Sequence, residues 1–164
     1  MTKPDFGKKY TFYNAKVAIN FQAVTSLGHF NTINIEMANK NSSGEVDWNK
    51  TKISLQLSEV DAFKVFYCII HNKLLRYESK FHGKDKRKSI SFQENTKGGC
   101  TITLKDYGRT LYYTVSLGEW FYGKLLLTEQ ILGLPISFED TKKLMTIPCS
   151  PSAEEEKVTT PLTE

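Results

Sequence analysis

Residues 52–72, KISLQLSEVDAFKVFYCIIHN, set the terms for the whole chain. Ile53, Leu55 and Leu57 alternate with Ser54 and Gln56, the period-two pattern of a strand with one buried face. Ser58 then offers a hydroxyl to cap a helix, and Glu59 and Asp61 place negative charge on its first turn. Phe63, Phe66, Tyr67 and Ile70 recur at helical spacing, and the helix should stop near Asn72. At an offset of 60, Val115, Leu117, Gly118, Glu119 and Lys124 stand where Leu55, Leu57, Ser58, Glu59 and Lys64 stood, and Leu125, Leu126 and Leu127 continue an apolar helix. The chain is therefore expected to build one strands-then-helix unit twice.

Upstream, residues 1–9 read as loose. Residues 10–24 form one long β-prone run, with Val17, Ile19, Phe21 and Ala23 on one side and Lys16, Ala18, Asn20 and Gln22 on the other. Ser26-Leu27-Gly28 makes a turn into a strand over 30–37 with Ile33, Ile35 and Met37 inward, and residues 38–47 have the composition of a hairpin tip. Downstream, strands are expected at 74–81, 89–93, 100–105 and 110–117. Between them lie a basic turn at 82–88, HGKDKRK, a hairpin at Thr96-Lys97-Gly98-Gly99 and a tight turn at Asp106-Tyr107-Gly108-Arg109. The second helix should end at Gly133, with Pro135 as a stop. This predicts an α+β fold, a duplicated unit of antiparallel strands followed by one helix, in two sheets. It forms a single domain over 1–149, repeats spanning about 10–72 and 73–133, and a disordered acidic tail at 150–164.

The 164 residues carry a formal net charge of +4, but the charge is unevenly placed. Residues 1–150 hold 21 of the 22 Lys and Arg and 14 of the 18 Asp and Glu, a net of +7, and residues 151–164 carry −3. A basic body with an acidic tail suits a polyanionic partner, with the tail free to compete for the basic face or to recruit a protein. Cys68, Cys100 and Cys149 are odd in number and widely spaced, which speaks against a disulfide framework or a zinc site and for free thiols in a reducing compartment. The opening MTKPDFGKKY has no apolar core of a leader, and no run reaches the length of a membrane span. An intracellular, soluble protein of cytoplasm or nucleoid is expected, with no membrane partner.

Catalytic motifs are absent from the sequence: no GxSxG, HExxH, GxxxxGK[ST] or GxGxxG occurs. His29, His71 and His82 each stand alone, so no metal site, cofactor or catalytic residue is expected. Residues 73–109 instead carry ten Lys or Arg against four acids, interleaved with Tyr77, Phe81, Phe92 and Tyr107. Cations that follow phosphates, beside aromatic faces that stack on unpaired bases, are what a single-strand binder needs. Phe81 and Phe92 can equally be core, and Phe92 shares its parity with Ile90. Tyr112 has the opposite facing to Leu111 and Tyr113, and Trp48 stands beside Lys50 and Lys52; either ring can be a base platform or lie under another subunit. The candidate nucleic-acid-binding residues are Lys16, Trp48, Lys50, Lys52, Arg76, Lys80, Lys86, Arg87, Lys88, Lys105, Tyr107, Arg109 and Tyr112.

The doubled strands-then-helix unit, LSE at 57–59 and LGE at 117–119, and the basic turn between second-half strands resemble the Whirly and positive-cofactor-four-like group of single-stranded nucleic-acid binders. The likeness covers about residues 10–135. The lysine-glycine-lysine-alanine-alanine-leucine motif of plant Whirly proteins has only Lys86-Arg87-Lys88-Ser89-Ile90 as its nearest counterpart. The resemblance implies sequence-tolerant binding of unpaired strands on β-sheet surfaces, with helices packed between sheets or subunits; the expected ligand is single-stranded DNA ahead of RNA, and a homo-oligomer is expected. A protein-interaction or assembly module that binds no nucleic acid is the alternative.

Overall fold

A computed structural model describes residues 5–133 together with Ser137 and Glu139. The expected tail at 150–164, and the rest of the segment after Gly133, lie outside the described residues. Four strands, β1 (Asp5–Tyr13), β2 (Val17–Thr25), β3 (Asn31–Asn39) and β4 (Ile53–Gln56), form an antiparallel sheet in sequence order and lead into α1 (Glu59–Ile70). A second sheet of β5 (Arg76–His82), β6 (Lys88–Glu94), β7 (Cys100–Asp106) and β8 (Arg109–Val115) repeats that order and leads into α2 (Leu117–Leu132). The fold is α+β with a duplicated unit, as the sequence implied.

Two strands replace the single run expected over 10–24, and the first begins within the stretch read as loose. The break is made by Asn14, whose Oδ1 accepts the Lys16 and Val17 amides at 2.8 and 2.7 Å, while its own amide donates to Val17 O at 3.0 Å. An Asn side chain that copies a backbone turn needs no glycine, so the composition gave no warning.

Parity along the strands puts Ile19, Phe21, Ile33, Ile35, Met37 and Ile53 of the first sheet, and Ile90, Phe92, Ile102, Leu104 and Tyr113 of the second, into one shared core. Trp120 of α2 stands in the middle of it, its ring centroid 6.0 Å from both Phe21 and Phe92. The second half's helix thus covers the first half's sheet: Tyr122 stacks on Tyr10 at 4.8 Å, and Gln130 Nε2 donates to Val24 O and Thr32 O at 3.2 and 2.9 Å. Room for this comes from Gly123, where a Cβ would come within 3.0 Å of the Trp120 ring.

Both helices open on a capping box. Ser58 accepts the Asp61 amide while Asp61 accepts the Ser58 amide, and Ser116 and Glu119 do the same for α2. The structural equivalence of the halves therefore matches Ser58 with Ser116 rather than with Gly118. LGE lies in the first turn of α2, two residues out of register with LSE. Only one face of α1 is buried, through Asp61, Ala62 and Val65. Phe63, Tyr67 and Ile70, whose spacing marked the helix, face out. Buried beside Trp120 is one further ion pair, Lys124 Nζ to Glu94 Oε1 at 3.1 Å, with Glu94 also accepting Trp120 Nε1 at 2.8 Å and the Leu75 amide at 2.9 Å.

Candidate nucleic-acid interface

The two sheets present different outer faces. On the first, Thr11, Asn20, Glu36 and Ser54 stand opposite one another in one row across the four strands. Thr11 Oγ1 donates to Asn20 Oδ1 at 2.6 Å, Asn20 Nδ2 to Glu36 Oε2 at 3.3 Å, and Lys52 Nζ reaches Glu36 Oε1 at 3.2 Å. Burial pushes the Glu36 carboxyl up, but Lys52 and the donors around it hold it below the ordinary carboxylate value. Asn20 and Asn34 are buried. This face satisfies its own polar groups and leaves few for a ligand.

The second sheet leaves its outer face open. Glu78, Ser91, Thr103 and Tyr112 form one cross-strand row, with Lys105 and Thr110 in the next. Tyr112 is 65% exposed, as its parity implied. It borders a cleft of about 360 Å³ lined also by Asn14, Lys16, Val17, Asn39 and Thr110, so Lys16 of the β1–β2 turn and Tyr112 of the second sheet line the same cleft.

Lys86, Arg87, Lys88, Lys105 and Arg109, half of the ten predicted cations, gather at one end of this sheet, where the β5–β6 and β7–β8 turns lie side by side because Lys88, Asp106 and Arg109 share a row. Asp106 is buried, with Arg87 Nε 3.1 Å from Oδ1 and Arg109 Nη2 3.4 Å from Oδ2. The contact to Oδ1 is an ion pair without a well-directed hydrogen bond. Asp106 holds both guanidinium heads in place, and the exposed Asp85, its Oδ2 3.9 Å from Arg87 Nε, is a second carboxylate at the same turn. Arg87 is also held over the Tyr107 ring, 5.7 Å from its centroid, and Tyr107 is 81% exposed. Tyr107 and Gly108 both adopt positive φ, 41° and 78°, the backbone of a two-residue hairpin turn, which is what pushes the ring into solvent.

Phe81 belongs to the same end, and sequence reasoning missed it. The pairing of β5 with β6 slips between Ser79 and His82, so the parity that would have buried Phe81 is broken. The ring is 73% exposed on a backbone with φ of 67°, a conformation costly for a bulky side chain. A basic turn after an aromatic strand end was the available signal.

The remaining candidates divide. Lys86 and Lys105 are exposed, and no ion pair holds either among the described residues. Lys80 pairs with Glu78 at 3.6 Å. Lys88 donates to Ser54 O at 2.9 Å and so ties the second sheet to β4, while Lys52 is held by Glu36 on the first sheet. Arg76 is exposed at the far end of β5. Trp48 is half-buried and Lys50 exposed in the β3–β4 connection, with no contact among the described residues that joins them to the cluster.

One grouping superficially suggests proton chemistry. His82 Nε2 lies 2.7 Å from Ser79 Oγ and 3.3 Å from Asp61 Oδ2. Nucleophile and carboxylate meet the same ring nitrogen, whereas a Ser-His-Asp relay needs them on opposite nitrogens. Asp61 also accepts Tyr77 OH at 2.8 Å. Burial pushes the Asp61 carboxyl up, but Ser58, Ser79 and Tyr77 donate to it and hold it below its ordinary value. The group fastens α1 to β5. Among the described residues no cluster of three or more His, Cys, Asp or Glu is placed to hold a metal, and no helix is long and apolar enough to cross a membrane. No protein-family model and no curated protein sequence matches this chain.

Proposed function

We infer that the protein binds single-stranded nucleic acid, DNA ahead of RNA, at the basic end of its second sheet, with little preference for sequence. The observation that carries this is the company Tyr107 and Phe81 keep: two rings 81% and 73% exposed, at the end of the sheet that also carries Lys86, Arg87, Lys105 and Arg109. The cations neutralise phosphates and the rings give unpaired bases a face to stack on. Tyr112 and Lys16 extend the track toward the cleft between the sheets. The Whirly-like resemblance in the sequence points to the same class of ligand, and the acidic residues at 151–164 would compete for the same cations.

The test is binding of labelled single-stranded and duplex oligonucleotides over a range of salt. Affinity for the single strand should fall by about 0.7 log units per log unit of salt for each phosphate contact. Lys86→Ala should lower that slope by somewhat under one. Tyr107→Ala and Tyr112→Ala should each weaken binding by about 1–3 kcal/mol with the slope nearly unchanged. A flat salt response, or equal affinity for duplex and single strand, would overturn the reading. The alternative of an assembly module has its own support in the apolar outer face of α1.

A further inference from the structure

The outward face of α1 departs from the rule that a helix turns its apolar stripe inward. Val60 is 74% exposed, Ile70 58%, and Phe63 and Tyr67 nearly half. These four residues are spaced three, four and three apart, the spacing of the seam along which one helix packs on another. They border a groove of about 560 Å³ that Tyr77 closes from β5, and Phe30, 6.1 Å from Phe63, widens the apolar surface at the helix start. Isolated exposed apolar side chains need no explanation, but a contiguous seam on one face does.

We propose that this seam is a self-association surface, on which α1 of a second copy lies antiparallel. The sequence of the helix is complementary to its own reverse. In that arrangement Val60 faces Ile70 of the second copy and Phe63 faces Tyr67, so each small or branched side chain meets another and each ring meets a ring. The charges at the two ends of the seam agree as well, while Lys64, which also lines the groove, comes near its own counterpart at the centre and turns its ammonium to solvent. Glu59, at the start of one helix, comes beside His71 and Lys73, just past the end of the other, and the two helix dipoles oppose. A parallel pairing would instead put Glu59 beside Glu59. Tyr77 points to the inner face of the second sheet, so a copy seated over α1 leaves that sheet's outer face and its basic end open. The inference stands without the nucleic-acid reading. Should both hold, a dimer offers two basic ends to one strand.

Sedimentation velocity of the full chain over a wide concentration range, at low and at high salt, provides the test. The parent should dimerise, with little loss at high salt because the seam is apolar. Val60→Glu and Ile70→Lys should each weaken dimerisation by about a hundredfold or more, since each buries two unpaired charges per dimer. An equimolar mixture of the two variants should recover a heterodimer, because Glu at 60 then faces Lys at 70. Both positions are exposed, so circular dichroism should show parental folding; Phe63→Ser, which adds no charge, serves as a third variant with the same expected loss. A parent that stays monomeric, or single variants that dimerise like the parent, would overturn the proposal. Variants that dissociate but do not recover on mixing would overturn the antiparallel register. A monomeric parent that dimerises only after removal of residues 134–164 would make that segment the occupant instead of a second copy.

Discussion

Ser58 and Ser116 start their helices with the same reciprocal pair of hydrogen bonds, yet α1 and α2 are used in opposite ways. Four residues past the cap, α1 has Ala62 where α2 has Trp120, and seven past the cap it has Val65 where α2 has Gly123. The large-with-small exchange lets α2 sink into the shared core against Phe21 and Phe92, while α1 rests on it with a small face and turns its large residues out. Duplication of a unit thus fixed the topology of both halves and left side-chain volume to decide which helix became core.

The strongest way to break this contrast is at Glu94. Glu94→Ala leaves the buried Lys124 ammonium without its carboxylate, and should cost about 3–5 kcal/mol in urea unfolding. Glu94→Ala combined with Lys124→Met should recover much of that loss. Trp120→Ala should cost a similar amount, about 3–5 kcal/mol, through the cavity it opens. The caps test the likeness rather than the difference. Ser58→Ala and Ser116→Ala should each cost about 0.5–2 kcal/mol, with Ser58 toward the upper end. Its Oγ also contacts Asp61 Oδ2 at 2.6 Å, and Asp61 in turn holds Tyr77 and His82.

Acid should find the same asymmetry. The Asp61 carboxyl is held below its ordinary value in the folded protein, so its contribution is full above the unfolded value and is lost as pH falls through the folded one. Below about pH 4 the parent should lose its stability advantage over Asp61→Asn, and an advantage that persists unchanged into strong acid would break the argument. The smallest effect belongs to the outer face of α1. Val60→Ala, measured in dilute protein, should shift stability by no more than about 0.5 kcal/mol.

Much of the fold was legible because strand parity is a local property: Ile53, Leu55 and Leu57, or Ile102 and Leu104, announce their buried side without reference to anything distant. Helical spacing in α1 was equally plain, but it says only that Phe63, Tyr67 and Ile70 share a face, and which face the core takes depends on what α2 already fills. The repeat was legible and its register was not. LSE and LGE are alike as words, whereas the equivalence that matters is a Ser with an acid three residues on, at Ser58 and Asp61 and again at Ser116 and Glu119. For the candidate site, charge and the outward facing of Tyr112 could be read directly. That Lys88 would be spent on Ser54 O, that Asp106 would sit between Arg87 and Arg109, and that a bulge would expose Phe81 all depend on pairings between strands.

The placement of α2 on the first sheet has a consequence for synthesis on the ribosome. Because neighbouring strands are also neighbours in sequence, the first sheet can pair as soon as residues 5–57 have emerged, with low loop-closure cost. Its inner side then waits for Trp120 and Tyr122, which are translated more than sixty residues later. At about 5–20 residues per second the nascent chain carries an uncovered apolar sheet for several seconds. Chaperone binding during that interval, and aggregation of chains cut short before α2, are expected from the order in which the helix and its sheet are made.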